Sequence, residues 1–177
     1  MRKKEHAGMN TKEYFKHKTI WLTLIIVIAV MVAIFLFSAQ TEEESSETSG
    51  YFVDFFINLF SPDFENLSAE NQEAFMLKIT NFIRKLAHFT EYTVLGFFLT
   101  MHIGALRSKL NMKLGFVWAA IIGALYAVSD ELHQFFVPGR GPGIKDVLID
   151  SLGALTGLAL MLAIYALIKR RKNADKD

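Results

Sequence analysis

Residues 20–37 read IWLTLIIVIAVMVAIFLF, eighteen consecutive positions without a charged side chain. As a helix rising 1.5 Å per residue, such a run reaches about 27 Å, close to the ~30 Å of hydrocarbon in a bilayer. A basic flank ahead of an apolar run also describes a cleaved signal peptide. This run is longer than an ordinary signal core, however, and Ser38-Ala39-Gln40 makes a poor small-x-small cleavage site. The stretch therefore reads as an uncleaved membrane anchor, and the bilayer becomes the solvent in which the rest of the chain is read.

Three further runs have the same character, over 86–106, 114–136 and 147–168. The chain is 52% hydrophobic, and its apolar residues are too clumped for a soluble core of this size. The expectation is an all-α polytopic membrane protein, one domain over 1–177, with four transmembrane helices. An outer loop over 38–85 and tails over 1–19 and 169–177 complete it. There is no cysteine, which excludes disulfides and cysteine-bound metals. No internal repeat, nucleotide-binding glycine loop or soluble catalytic domain is visible, and nothing points to a nucleic acid partner.

Lysine and arginine collect on cytoplasmic loops because their translocation is unfavourable. The N-terminal arm carries Arg2, Lys3, Lys4, Lys12, Lys16 and Lys18; the second loop Arg107, Lys109 and Lys113; the C-terminal tail Lys169, Arg170, Arg171, Lys172 and Lys176. Against these fourteen, the other side has only Lys78, Arg84, Lys85, Arg140 and Lys145, and its first loop carries nine acids between Glu42 and Glu73. The imbalance predicts a multi-pass protein of the cell membrane with both termini cytoplasmic. In the outer loop, a polar acidic stretch over 41–50 precedes an aromatic segment over 51–60 that suits the membrane interface. After Ser61-Pro62, Ser68 is positioned to cap a helix that carries Phe75, Ile79, Phe82 and Ile83 on one face and runs directly into the second span.

The ionisable residues of the spans fall at one end. His88 and Glu91 open the second span, Asp130, Glu131 and His133 close the third, and Asp146 and Asp150 begin the fourth. Residues three or four apart share a helix face, so Arg84, His88 and Glu91 form one stripe, Asp130, His133 and Gln134 a second, and Asp146 with Asp150 a third. Glu131 lies about 100° away from the Asp130 stripe. Between the last two spans, Val137-Pro138-Gly139-Arg140-Gly141-Pro142-Gly143 is a stiff, turn-rich linker that delivers Arg140 and Lys145 to the same face.

A charge inside a span costs about 2.5–3.5 kcal/mol at mid-bilayer, so this cluster requires a reason. Mutual neutralisation of helix ends is one. A site for an anionic headgroup is another, with Arg84, Lys85, Gln134, Arg140, Lys145 and Asp146 as ligand-binding candidates, because arginine matches phosphate with a two-pronged fork. A divalent metal is a third, on Asp130 and His133 with His88. Acid–base catalysis on a lipid headgroup is a fourth, with His88, Glu91, Asp130, Glu131, His133 and Asp150 as candidates. A proton relay should continue across the membrane, whereas below this cluster only His102 is seen. Gly115, Ala119, Gly123 and Ala127, and Gly153 with Gly157, let helix backbones approach closely in lipid. Trp21 and Trp118 suit the inner-leaflet interface. Membrane lipids are the expected partners; whether the chain also self-associates is left open.

Three blocks, Arg84-Lys85-Leu86-Ala87-His88-Phe89-Thr90-Glu91-Tyr92, Ser129-Asp130-Glu131-Leu132-His133-Gln134-Phe135-Phe136-Val137-Pro138-Gly139-Arg140 and the run from Asp146 to Gly153, resemble the VanZ-like family of bacterial membrane proteins. With Phe37-Ser38-Ala39-Gln40, the resemblance covers most of residues 80–165. It implies a Gram-positive cell-envelope setting, since the family takes its name from a protein conferring low-level resistance to the glycopeptide teicoplanin. It implies that His88, Glu91, Asp130, Glu131, His133, Gln134, Arg140, Asp146 and Asp150 are the residues to test. It supplies no chemical mechanism, and 41–77 lies outside its motifs.

Overall fold

A computed structural model describes residues 11–61, 63–106, 112–141 and 143–175. Of the inward-assigned cations, Arg2, Lys3, Lys4, Arg107, Lys109 and Lys176 lie outside the described residues, as do Pro62 and Pro142. Five α-helices follow one another: α1 (Thr11–Ser38), α2 (Glu42–Phe60), α3 (Ala69–Ala105), α4 (Met112–Gln134) and α5 (Ile144–Ala174). A single 3-10 turn at Phe64–Asn66 separates α2 from α3, and no strand occurs among the described residues.

Three segments are long and apolar enough to cross a membrane, Lys16–Ser38, Lys113–Gln134 and Ile144–Ala174. The run at 86–106, expected as a fourth, is not among them. It forms the second half of α3, which packs against α1, α2, α4 and α5 and is more polar for that reason. Polar side chains such as Glu91, Thr93, Thr100 and His102 are tolerated where they face neighbouring helices rather than lipid. Thr100 is fully buried and donates to the Gly96 carbonyl (2.8 Å). By contrast α1 exposes Trp21, Leu22, Ile25, Ile28, Val32 and Phe35.

The helices do not stop where the apolar runs do. α1 starts well before position 20 and α5 continues to Ala174 through its basic end, while α4 ends at Gln134 rather than 136. Helix ends follow hydrogen bonding and span ends follow hydrophobicity, so the two need not coincide. The acidic 41–50 stretch is helical and continuous with 51–60. Thr41 and Glu44 close a reciprocal capping box, and Glu42, Glu43 and Glu44 complement the positive end of the helix. Ser68 stands at the N-cap of α3, but its hydroxyl makes no capping bond. Gln72 ties this start down instead, donating from Nε2 to the carbonyls of Phe64, Glu65 and Leu67. Val53 and Ile57 of α2 bury Ile83, with Phe75 and Ile79 beside them, while Phe82 turns outward.

Contacts set the order of the bundle. Thr23 Oγ1 meets His102 Nδ1 (2.8 Å) at one end, and Tyr126 donates to the Met31 carbonyl (2.6 Å) further along. A Cβ on Gly153 would lie 2.5 Å from the Phe89 carbonyl oxygen, and one on Gly157 would lie 2.5 Å from Phe97 N. α3 and α5 therefore run in the same direction, backbone against backbone, and glycine is required at their crossing. The end of α1, the middle of α3, the end of α4 and the start of α5 all meet at one end of the bundle. The main core, with Val27, Ile34, Tyr92, Leu95, Leu99 and Ala154, lies beneath that end.

Candidate functional site

At that end, helical spacing stacks Arg84, His88 and Tyr92 along one face of α3. α4 ends there with Asp130 and Gln134, and α5 begins with Asp146 and Asp150. His88 Nδ1 lies 3.8 Å from Asp150 Oδ2 and 4.0 Å from Asp130 Oδ2. Asp150 is 0% exposed and Asp130 3%. Both oxygens of Asp150 and Oδ1 of Asp130 lack a hydrogen-bond partner in the protein. Gln134 Nε2 holds the remaining oxygen, donating to Asp130 Oδ2 (3.2 Å) and to Ser38 Oγ (2.9 Å). Two carboxylates buried with so few donors form a strained floor, because a buried charge is tolerated only when it is compensated.

Above the floor stands a more exposed cationic rim. Lys85 pairs with Asp146. Arg84 donates to Asn81 Oδ1 (3.0 Å) and approaches Glu42 at 4.0 Å. Arg140 donates to the Ser38 carbonyl (3.3 Å), while its buried Nε has no partner. Burial, reinforced by the like charge of Arg84, pushes Arg140 down from the ordinary arginine value, and Asp130, Glu131 and Glu42 pull the other way. Arg84 and Arg140 thus bring two guanidinium groups to the lining of one cavity.

The linker is built to hold Arg140 there. Gly139 adopts φ +78°, a left-handed conformation that favours glycine, and a Cβ at this position would press on Glu42 Cβ at 3.0 Å. Glu131, turned away from the Asp130 stripe, accepts from the Gly143 backbone N–H (2.8 Å) and pins the other end of the linker. Between rim and floor lies a cavity of about 80 Å³, lined by Arg84, Lys85, His88, Glu131, Gln134, Arg140, Asp146 and Asp150 among others. That volume holds several waters. A second cavity of about 130 Å³ opens toward α2 and shares Arg84, His88 and Arg140 with the first.

Most of the residues anticipated from sequence thus meet. Glu91 lines only the second cavity, and Asp130, though near His88, lines neither. Two others go elsewhere. His133 stacks on Phe35 of α1 with ring centroids 4.5 Å apart, away from the Asp130 carboxylate group. Lys145 is exposed and lines neither cavity. Ser38, Glu42 and Tyr92 were not anticipated as site residues. Ser38 is fully buried and serves both Gln134 and Arg140, and its signal was a polar residue closing an uninterrupted apolar run. Tyr92 is fully buried with an unpartnered hydroxyl, one turn beyond His88.

The family model for VanZ/LLP1 matches residues 23–167, most of the chain and every site residue above. No curated protein and no solved structure matches.

Proposed function

This chain belongs to the VanZ/LLP1 family, and we propose that it is an envelope membrane protein that binds an anionic lipid headgroup at the outer leaflet. In this reading the second half of α3 is a fourth span, both termini are cytoplasmic, and the site faces outward. Support for the span comes from its position between α1, α4 and α5, with His102 bonded to Thr23 at the opposite end. α2 then rests along the interface, its exposed Phe52, Phe55 and Leu59 toward lipid and its Val53 and Ile57 toward α3.

The observation that carries the headgroup reading is the convergence of Arg84 and Arg140, from a helix and a glycine-held linker, on one cavity with the Arg140 Nε unsatisfied. A phosphate offers the acceptors that a guanidinium fork fits. An envelope lipid such as a polyprenyl-phosphate intermediate has this chemistry, as does the anchor of a teichoic-type polymer. Reduced access of a glycopeptide such as teicoplanin to its target is the cellular consequence in this account. Native mass spectrometry of the purified protein tests it: anionic lipid is retained by the wild type and depleted in Arg84→Ala and Arg140→Ala. Absence of any lipid preference in the wild type would refute the reading.

A further inference from the structure

The floor of the cavity carries a second chemistry. His88, Asp130 and Asp150 come from three different helices, and one ligand atom of each lies within 4.8 Å of the others. Among the described residues, the only ion-pair partner of either carboxylate is His88, at 3.8 and 4.0 Å. Three of the four carboxylate oxygens have no hydrogen-bond donor, and Asp150 has no exposed surface at all. The unpartnered, fully buried hydroxyl of Tyr92 lies on the same face of α3, one turn below His88.

We propose that His88 Nδ1, Asp130 and Asp150 bind a divalent first-row metal ion, Zn²⁺ or Mn²⁺. Charge decides first: one divalent ion with a neutral imidazole cancels two carboxylates that no lysine or arginine touches. The three ligand atoms lie within 4.8 Å of one another, so closing them around one ion with bonds of about 2.0–2.2 Å requires only that they draw in from the 3.8 and 4.0 Å that separate the imidazole from the carboxylates. One nitrogen and two oxygens suit borderline ions better than Ca²⁺ or Mg²⁺, which take oxygen ligands. Gln134 supplies the outer support typical of a ligating carboxylate, since its Nε2 donates to Asp130 Oδ2. Three protein ligands leave a coordination position open, and two of them, His88 and Asp150, line the cavity. His133 is not part of this set; Asp150 stands in the place that sequence spacing offered to it.

The site also removes an electrostatic obstacle, because an anion held by Arg84 and Arg140 would otherwise face two bare carboxylates. The metal inference nevertheless rests on the floor residues alone and is tested without lipid, so its failure is distinguishable from failure of the headgroup reading. The purified protein is stripped with EDTA, reloaded with Zn²⁺ or Mn²⁺ and dialysed, and metal content and thermal stability are measured. The wild type retains about one equivalent per chain and melts several degrees higher than the stripped form. Asp150→Asn and His88→Gln lose both properties. Failure to bind either ion, or equal loading of wild type and Asp150→Asn, overturns the proposal. Should the variants not fold, Co²⁺ titration of the wild type serves instead: visible d–d bands that Zn²⁺ displaces support the site, and a featureless spectrum overturns it.

Discussion

Replacing Gly157 by alanine should force α3 and α5 apart and disable a site two turns away. The added Cβ overlaps the Thr93 carbonyl oxygen and lies 2.5 Å from Phe97 N and 2.9 Å from the Thr93 carbonyl carbon, where ordinary contact is 3.4–4 Å. Every obstructing atom is backbone, so no side chain can swing aside, and the helices must separate by about 1 Å. Overpacking costs about 1–3 kcal/mol when neighbours can adjust, and a rigid backbone puts this case at the upper end. Alanine's better helix propensity returns about 0.8–1 kcal/mol, leaving a net loss of about 2 kcal/mol. Gly50 is the internal contrast: it lies within α2, its Cβ would meet nothing within 4 Å, and Gly50→Ala should stabilise by about 0.5–1 kcal/mol. Equilibrium unfolding in mixed detergent micelles reads both. Because His88 rides on α3 and Asp150 on α5, Gly157→Ala should also weaken headgroup binding while Gly50→Ala leaves it intact. A Gly157→Ala protein as stable as the wild type would refute the close crossing on which the geometry of the site depends.

Glu131→Ala removes the acceptor for the Gly143 N–H and should cost about 1–3 kcal/mol, whereas Glu131→Gln keeps an acceptor oxygen and should recover most of it; equal losses in the two would deny the linker clamp. Orientation is open to direct labelling because the chain has no native cysteine. A membrane-impermeant maleimide should react with Glu47→Cys in intact cells and with Asn173→Cys only after permeabilisation. The reverse pattern would invert the proposed topology.

Three helices were legible because α1, α4 and α5 each hold a window long and apolar enough to cross a membrane. α3 was legible only in part: Glu91, Thr93 and His102 lower its hydropathy because its neighbours are helices. The helical start of α2 was hidden behind its glutamates, although Thr41-x-x-Glu44 is a capping-box pattern. Helical spacing grouped Arg84 with His88 and Asp130 with Gln134, since those relations are local. It could not say that α5 runs beside α3 in the same direction. Only that packing sets Asp150 against His88, and only the meeting of α1 with α4 turns His133 toward Phe35 and Ser38 toward Gln134. Glycine spacing on α5 announced a close approach without naming its partner; Gly96, where an added Cβ would lie 2.7 Å from the Ala154 carbonyl carbon, completes the crossing.

The claim at the centre of this account is that Arg84 and Arg140 hold an anion, and equilibrium titration of the purified protein with two lipids of identical chains tests it most directly. Short-chain phosphatidic acid should bind more tightly than short-chain phosphatidylcholine. Each arginine-to-alanine change should weaken the phosphatidic acid complex by about 10- to 100-fold, the equivalent of losing charge-assisted hydrogen bonds of about 1.5–3 kcal/mol. Equal affinity for the two lipids, or an Arg84→Ala/Arg140→Ala protein that binds phosphatidic acid as the wild type does, would contradict it.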